Sequence, residues 1–132
     1  MISGIPDHPI EDIKLSEVYI QYHRTSADAS LAPVEKENAY PEPNMFGTMP
    51  ARGFYIRHVN GLEMSHVEIE ELAGDARPAF VLDQVKSADL LRIRALSGCA
   101  PIFALKSVDD FHLYLSRPLP DTNLDHAENK NL

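Results

Sequence analysis

The chain has 132 residues, 44% of them apolar, enough for one domain with a core, and no stretch approaches the roughly 18 consecutive apolar residues of a membrane-spanning helix. Its formal charge of −8 and pI near 5.1 argue against nucleic acid and against a simple electrostatic grip on acidic polysaccharide. An anionic ligand would need a local cluster of Arg or Lys.

Residues 1–4 lack the basic start and apolar run of a secretory signal, and 4–9 (GIPDHP) is turn-rich. A period-two strand begins at once over 10–20, with no capping element before it. An uncovered first strand exposes apolar side chains and unpaired backbone groups, so this end is expected to meet upstream coils or a partner. Residues 23–52 read as a long insertion, because Pro33, Pro41, Pro43 and Pro50 forbid an extended regular element. Its 40–50 half carries Tyr40, Met45, Phe46 and Met49 and is expected to pack; its 25–36 half is expected to be the looser one.

The stretch 53–70, GFYIRHVNGLEMSHVEIE, is the most complete unit. Phe54 and Ile56 alternate with Tyr55 and Arg57, the Asn60-Gly61 turn follows, and Leu62, Met64, Val67 and Ile69 alternate again with one extra residue at Ser65-His66. The unit returns at 79–96 and 102–116. With Ile10, Val59, Val85 and Val108 as markers the intervals are 49, 26 and 23 residues, the first being one repeat plus the insertion. Each later marker precedes a polar turn, Asn60-Gly61, Lys86-Ser87 or Asp109-Asp110. The linkers are 74–78, where Asp75 and Arg77 can pair or cap backbone groups, and 97–101. The single Cys99, in that second linker, cannot form an internal disulfide, and without a basic neighbour it is an inert thiol by default. Residues 117–132, with two prolines and no period, read as a flexible tail.

A strand-rich period in the twenties is the mark of a solenoid, in which each unit buries a face against its neighbours. The expected fold is all-β, a right-handed parallel β-helix of about four coils over 1–116, with Leu15, Met64, Leu90 and Leu113 stacked inside. A sandwich of short antiparallel strands is the alternative.

The runs GIPDHPIEDIKLSEVYIQY, YPEPNMFGTMPARGFYIRHVNGL and DARPAFVLDQV resemble the C-terminal coils of bacterial glycoside hydrolase family 28, the polygalacturonase and rhamnogalacturonase group. The likeness covers 2–116 and implies a parallel β-helix, a pectin-type polysaccharide as ligand, no cofactor, and a periplasmic or extracellular setting. It also implies hydrolysis by aspartates in an Asn-Thr-Asp run and an Asp-Asp pair, assisted by Gly-His-Gly and Arg-Ile-Lys runs. Inverting hydrolysis needs one carboxylic acid for the leaving oxygen and one carboxylate for water at a fixed separation. The three longer runs are absent, and Asp109-Asp110, the sole Asp-Asp pair, reads as a solvated turn. No catalytic residue is therefore assigned, and the catalytic coils of the family lie upstream of the region matched.

Arg57, with the 40–52 loop, is a candidate for holding a uronate carboxylate; the plainer reading is that it pins that loop through Glu42 or a backbone carbonyl. Tyr40, Glu42 and His58 complete the candidate substrate-binding set, although strand alternation points Arg57 and His58 to opposite sides. His66, Glu68 and Glu70 share a face that reads as solvated rather than metal-binding, so no metal is expected. Tyr19, Gln21 and His23 form either a sugar platform or plain exterior. The chain is thus expected to be a non-catalytic C-terminal β-helix portion of a pectin-active protein. The alternatives are an oligomeric carbohydrate-binding or scaffold β-helix, and a hydrolase active only with an upstream or partner chain.

Overall fold

The computed structural model describes residues 1–23, 33–39, 46–72, 74–96 and 101–132. Within them the chain forms seven strands and no helix: β1 (Ile2–Ser3), β2 (Ile10–Tyr22), β3 (Phe54–Glu71), β4 (Phe80–Leu91), β5 (Arg94–Leu96), β6 (Phe103–Tyr114) and β7 (Thr122–Asn131). All belong to one sheet that is parallel except at its last pair. β1 and β2 run beside β3, β3 beside β4 and β5, and β4 beside β6. The antiparallel sandwich is thereby excluded, since its neighbours would run in opposite directions.

The register follows the sequence markers. Ile10 faces Val59, Val59 faces Val85, and Val85 faces Val108. Leu15, Met64, Leu90 and Leu113 are likewise successive partners, fully buried from Met64 onward and half-buried at Leu15. Side chains one above another must share volume, and Ala88 between Leu62 and Phe111 shows how: the small residue leaves room for the large one in the next row. Phe54, Phe80 and Phe103 form an offset-stacked column with ring centroids 5.6 and 4.7 Å apart, ended by the edge of Phe111.

Strands as long as β3 bend at residues in the left-handed backbone region, and these recur in columns. Aligning by register, His58, Gln84 and Ser107 make one column; Asp12, Gly61, Ser87 and Asp110 a second; Glu17, His66, Arg92 and Leu115 a third. Each such residue breaks the two-residue alternation and turns the chain; within β2 and β3, and at Gln84, Ser87, Ser107 and Asp110, the ladder runs on through the bend, whereas Arg92 and Leu115 stand just past the ends of β4 and β6. Asn60-Gly61 is therefore a bend inside β3 rather than a hairpin turn, and the extra residue at Ser65-His66 is the next bend. At Gly61, with φ of 82°, a Cβ would lie 2.8 Å from Asp12 Oδ1, so the residue without a side chain suits this row.

The two ends differ. β7 lies antiparallel on β6 and puts Leu124 and Ala127 against Phe111 and Val108, while Leu132 closes on Phe103 through backbone hydrogen bonds of 3.0 and 3.1 Å. The tail expected over 117–132 is thus a capping strand for most of its length. Its apolar positions are spaced by three and five because it crosses the bends of β6, which hides any period. No described strand pairs with the outer edge of β2, where Ile13, Leu15 and Val18 stay half-buried.

Candidate functional site

Arg57 and His58 both come from the first bend of β3. His58 has a φ of 51°, and this single left-handed residue cancels the alternation that would have sent the two side chains apart. Both are buried and both reach one carboxylate oxygen: Glu35 Oε1 lies 3.0 Å from Arg57 Nη1 and 2.8 Å from His58 Nε2. Arg57 Nη1 also donates to the Pro33 carbonyl at 2.7 Å, and its guanidinium carbon sits 5.6 Å from the centre of the Tyr55 ring. The insertion thus lies over the outer face of β3 through 33–35. Among the described residues, the backbone carbonyl and the glutamate that hold Arg57 are those of Pro33 and Glu35.

Tyr40 and Glu42, together with Cys99 and parts of both halves of the insertion, fall outside the described residues. Phe46 lines an open cleft of about 370 Å³ with Ser3, Glu35 and Arg57. Beyond the bend, a second cleft of about 380 Å³ runs across the rows past Asp7, His58, Gln84, Lys86 and Asp109.

Charged side chains stack as the rows dictate. Arg57, Asp83 and Lys106 are successive partners, with alternating sign. Tyr55 donates to Asp83 Oδ2 at 3.1 Å, and burial first, then the Asp83 charge, pushes the Tyr55 hydroxyl well above its usual pKa. Asp75 and Arg77 both pair and cap: the Arg77 amide and Nε each lie 2.9 Å from Asp75 Oδ1. The Arg77 hydrogen bonds hold the Asp75 carboxyl below its usual range. Nearby, Arg52 and Glu71 form an ion pair of 2.8 Å out of reach of water, and burial raises the Tyr22 hydroxyl to about 12. Sequence pattern gave no sign of this pair, because its members lie at the two ends of one strand unit and meet only through the fold.

Asp110 is a bend residue and Asp109 precedes it, and each is taken by a different imidazole, Asp109 by His126 at 2.6 Å and Asp110 by His112 at 2.9 Å. All four side chains face solvent. Two carboxylates each already held by its own imidazole do not form the acid and base pair that inverting hydrolysis requires. On the face named from the sequence, His66 lies 3.5 Å from Glu17, Glu68 pairs with Arg94, and Glu70 accepts from Tyr19 and Gln21. Among the described residues no group of three or more His, Cys, Asp or Glu side chains converges as a metal site would.

No protein-family model, no curated protein and no solved structure matches the chain.

Proposed function

We propose that the chain is a right-handed parallel β-helix end module, the non-catalytic C-terminal portion of a pectin-active protein of the glycoside hydrolase family 28 type. The observation that carries the fold is the row register, Ile10 on Val59 on Val85 on Val108, with three columns of left-handed bends repeating from row to row. A chain that bends at the same three places in the β3, β4 and β6 rows, and at two of them in the β2 row, winds into a coil rather than lying flat. The antiparallel cap β7 supports an end position, since it terminates row growth on one side. The absent catalytic runs support a structural rather than hydrolytic role, and the 132 residues alone release no sugar under this reading.

The test is hydrolysis of polygalacturonate and rhamnogalacturonan by the purified chain, with its oligomeric state measured on the same sample. Absence of new reducing ends is the expected result. Turnover lost on Asp109→Asn or Asp110→Asn overturns the reading and moves chemistry to the last row.

The half-buried Ile13, Leu15 and Val18 on the open edge of β2 favour a second reading, a non-enzymatic saccharide-binding module that covers this edge by association. Stable oligomers in that same sample favour it, and monomers oppose it.

A further inference from the structure

In a chain of net charge −8, three of the arginines gather at one corner of the fold. The third bend column ends in Arg92 and Leu115, and the residues two beyond them, Arg94 and Arg117, are parallel bridge partners. Arg92 and Arg94 point outward because Ile93 between them is buried in the core. Arg92, Arg94, Leu115 and Arg117 together line one open cleft of about 470 Å³. Adjacent rows in a sheet are about 4.8 Å apart, so two guanidinium groups start from neighbouring backbone positions. Like charges in neighbouring register positions destabilise a sheet unless something of opposite sign lies between them.

The protein supplies only part of that compensation. Arg94 meets Glu68 at 3.4 Å in a solvent-facing pair, of the kind that exchanges easily with another anion. Arg92 Nη1 meets the ring nitrogen of His66 at 3.2 Å, which brings no negative charge. No described residue forms a hydrogen bond or ion pair with the Arg117 guanidinium, and the nearby Asp121 carboxylate is taken by the Leu115 amide at 2.7 Å. Exposed Leu115 lines the same cleft and offers an apolar surface beside the charge. Planar guanidinium forks match carboxylates through paired hydrogen bonds.

From this juxtaposition we infer that Arg92, Arg94 and Arg117 form a binding site for carboxylate groups of an acidic saccharide, whose ring rests on Leu115. The oxyanion follows from the arginines; naming the ligand a saccharide rests on the reading proposed above. Acidic neighbours select within that class: Glu17 and Glu68 sit toward β2 in the same columns, so the ligand occupies the β6 end of the corner. A densely charged polyphosphate would be repelled there.

The experiment titrates the full 132-residue chain with a short oligogalacturonate, its methyl ester and inorganic sulfate, following backbone amide shifts and affinity. Expected are shifts confined to 91–94 and 114–117, no binding of the ester, and at least a tenfold loss of affinity in Arg94→Ala/Arg117→Ala with thermal stability retained. Arg117→Lys, which keeps the charge and loses the fork, should fall between. Oligogalacturonate binding left unchanged by the double variant overturns the site while leaving the saccharide reading in place. No binding of the oligosaccharide overturns both, and sulfate binding as tightly as the oligosaccharide overturns the assignment as an adventitious ion only.

Discussion

Arg52 and Glu71, at opposite ends of the longest strand unit, form an ion pair of 2.8 Å with side chains 0% and 4% exposed. Among the described residues the pair is incompletely satisfied, since Arg52 Nε and Nη2 and Glu71 Oε1 have no hydrogen-bond partner there. Removing one member strands the other in a dry site, so Glu71→Ala should cost about 3–5 kcal/mol. Replacing both with apolar residues of similar size, Arg52→Met with Glu71→Leu, removes the stranded charge along with its partner and should lose much less. Urea midpoints of the single and double variants check this; equal losses would mean the packing around the pair, not its charge, is what matters.

The rows were legible in the sequence because a stacked strand must repeat its inward residues, and Val59, Val85 and Val108 do so at nearly constant spacing. What was not legible follows from the bends. Strict alternation places His58 on the side opposite to Arg57, and its left-handed backbone undoes that rule. β7 escaped notice because its core positions, Leu124, Ala127 and Leu132, skip irregularly across the bends of β6. Glu35 meets Arg57 and His58, and Arg117 meets the Arg92-Ile93-Arg94 run, across separate segments, which local pattern cannot show. Only the net charge of −8, by which an anionic ligand needs clustered cations, points that way.

The core columns set the scale for truncation. Leu90 is 1% exposed between Met64 and Leu113, so Leu90→Ala should cost about 2–5 kcal/mol in a denaturant titration. Leu15→Ala, in the same column on the open row, should cost clearly less. Ala88→Leu, which inserts bulk between Leu62 and Phe111, should cost about 1–3 kcal/mol by overpacking. Tolerance of Ala88→Leu would show that the rows can separate to admit it.

Leu115 has a φ of 51° and is 63% exposed, so its side chain gains little from packing and pays for an unfavourable backbone. The left-handed region costs a branched residue about 1–2 kcal/mol, and glycine gives back roughly 0.5–1 through the unfolded chain. Leu115→Gly should therefore be neutral to stabilising by up to about 1 kcal/mol. Tyr114→Gly, one residue earlier in the strand, gains no such relief and should destabilise. Thermal melts of the two variants separate the cases, and a large loss for Leu115→Gly would show that its side chain is bound rather than free.

The cap strand should respond to pH through two imidazoles, its own His126 and His112 of β6. His126 donates to Asp109 at 2.6 Å with Glu128 at 3.5 Å, and this Asp109 hydrogen bond raises its pKa above 6.5. His112, bonded first to Asn123 and then to Asp110, is also raised above 6.5, while its partnership lowers the Asp110 carboxyl. A histidine raised by folding contributes stability that is complete below its unfolded pKa and is lost as pH climbs through the folded value. A lowered aspartate contributes above its unfolded pKa and loses that as pH falls through the folded one. The attachment of β7 to β6 should thus be firmest in mild acid, above the carboxylate range, and loosen across the imidazole range toward alkaline pH. Amide hydrogen exchange in β7, corrected for the intrinsic pH dependence and followed from roughly pH 5.5 to 8.5, reads this directly. His126→Gln should flatten part of the profile; a profile unchanged by that substitution would place the pH dependence elsewhere in the chain.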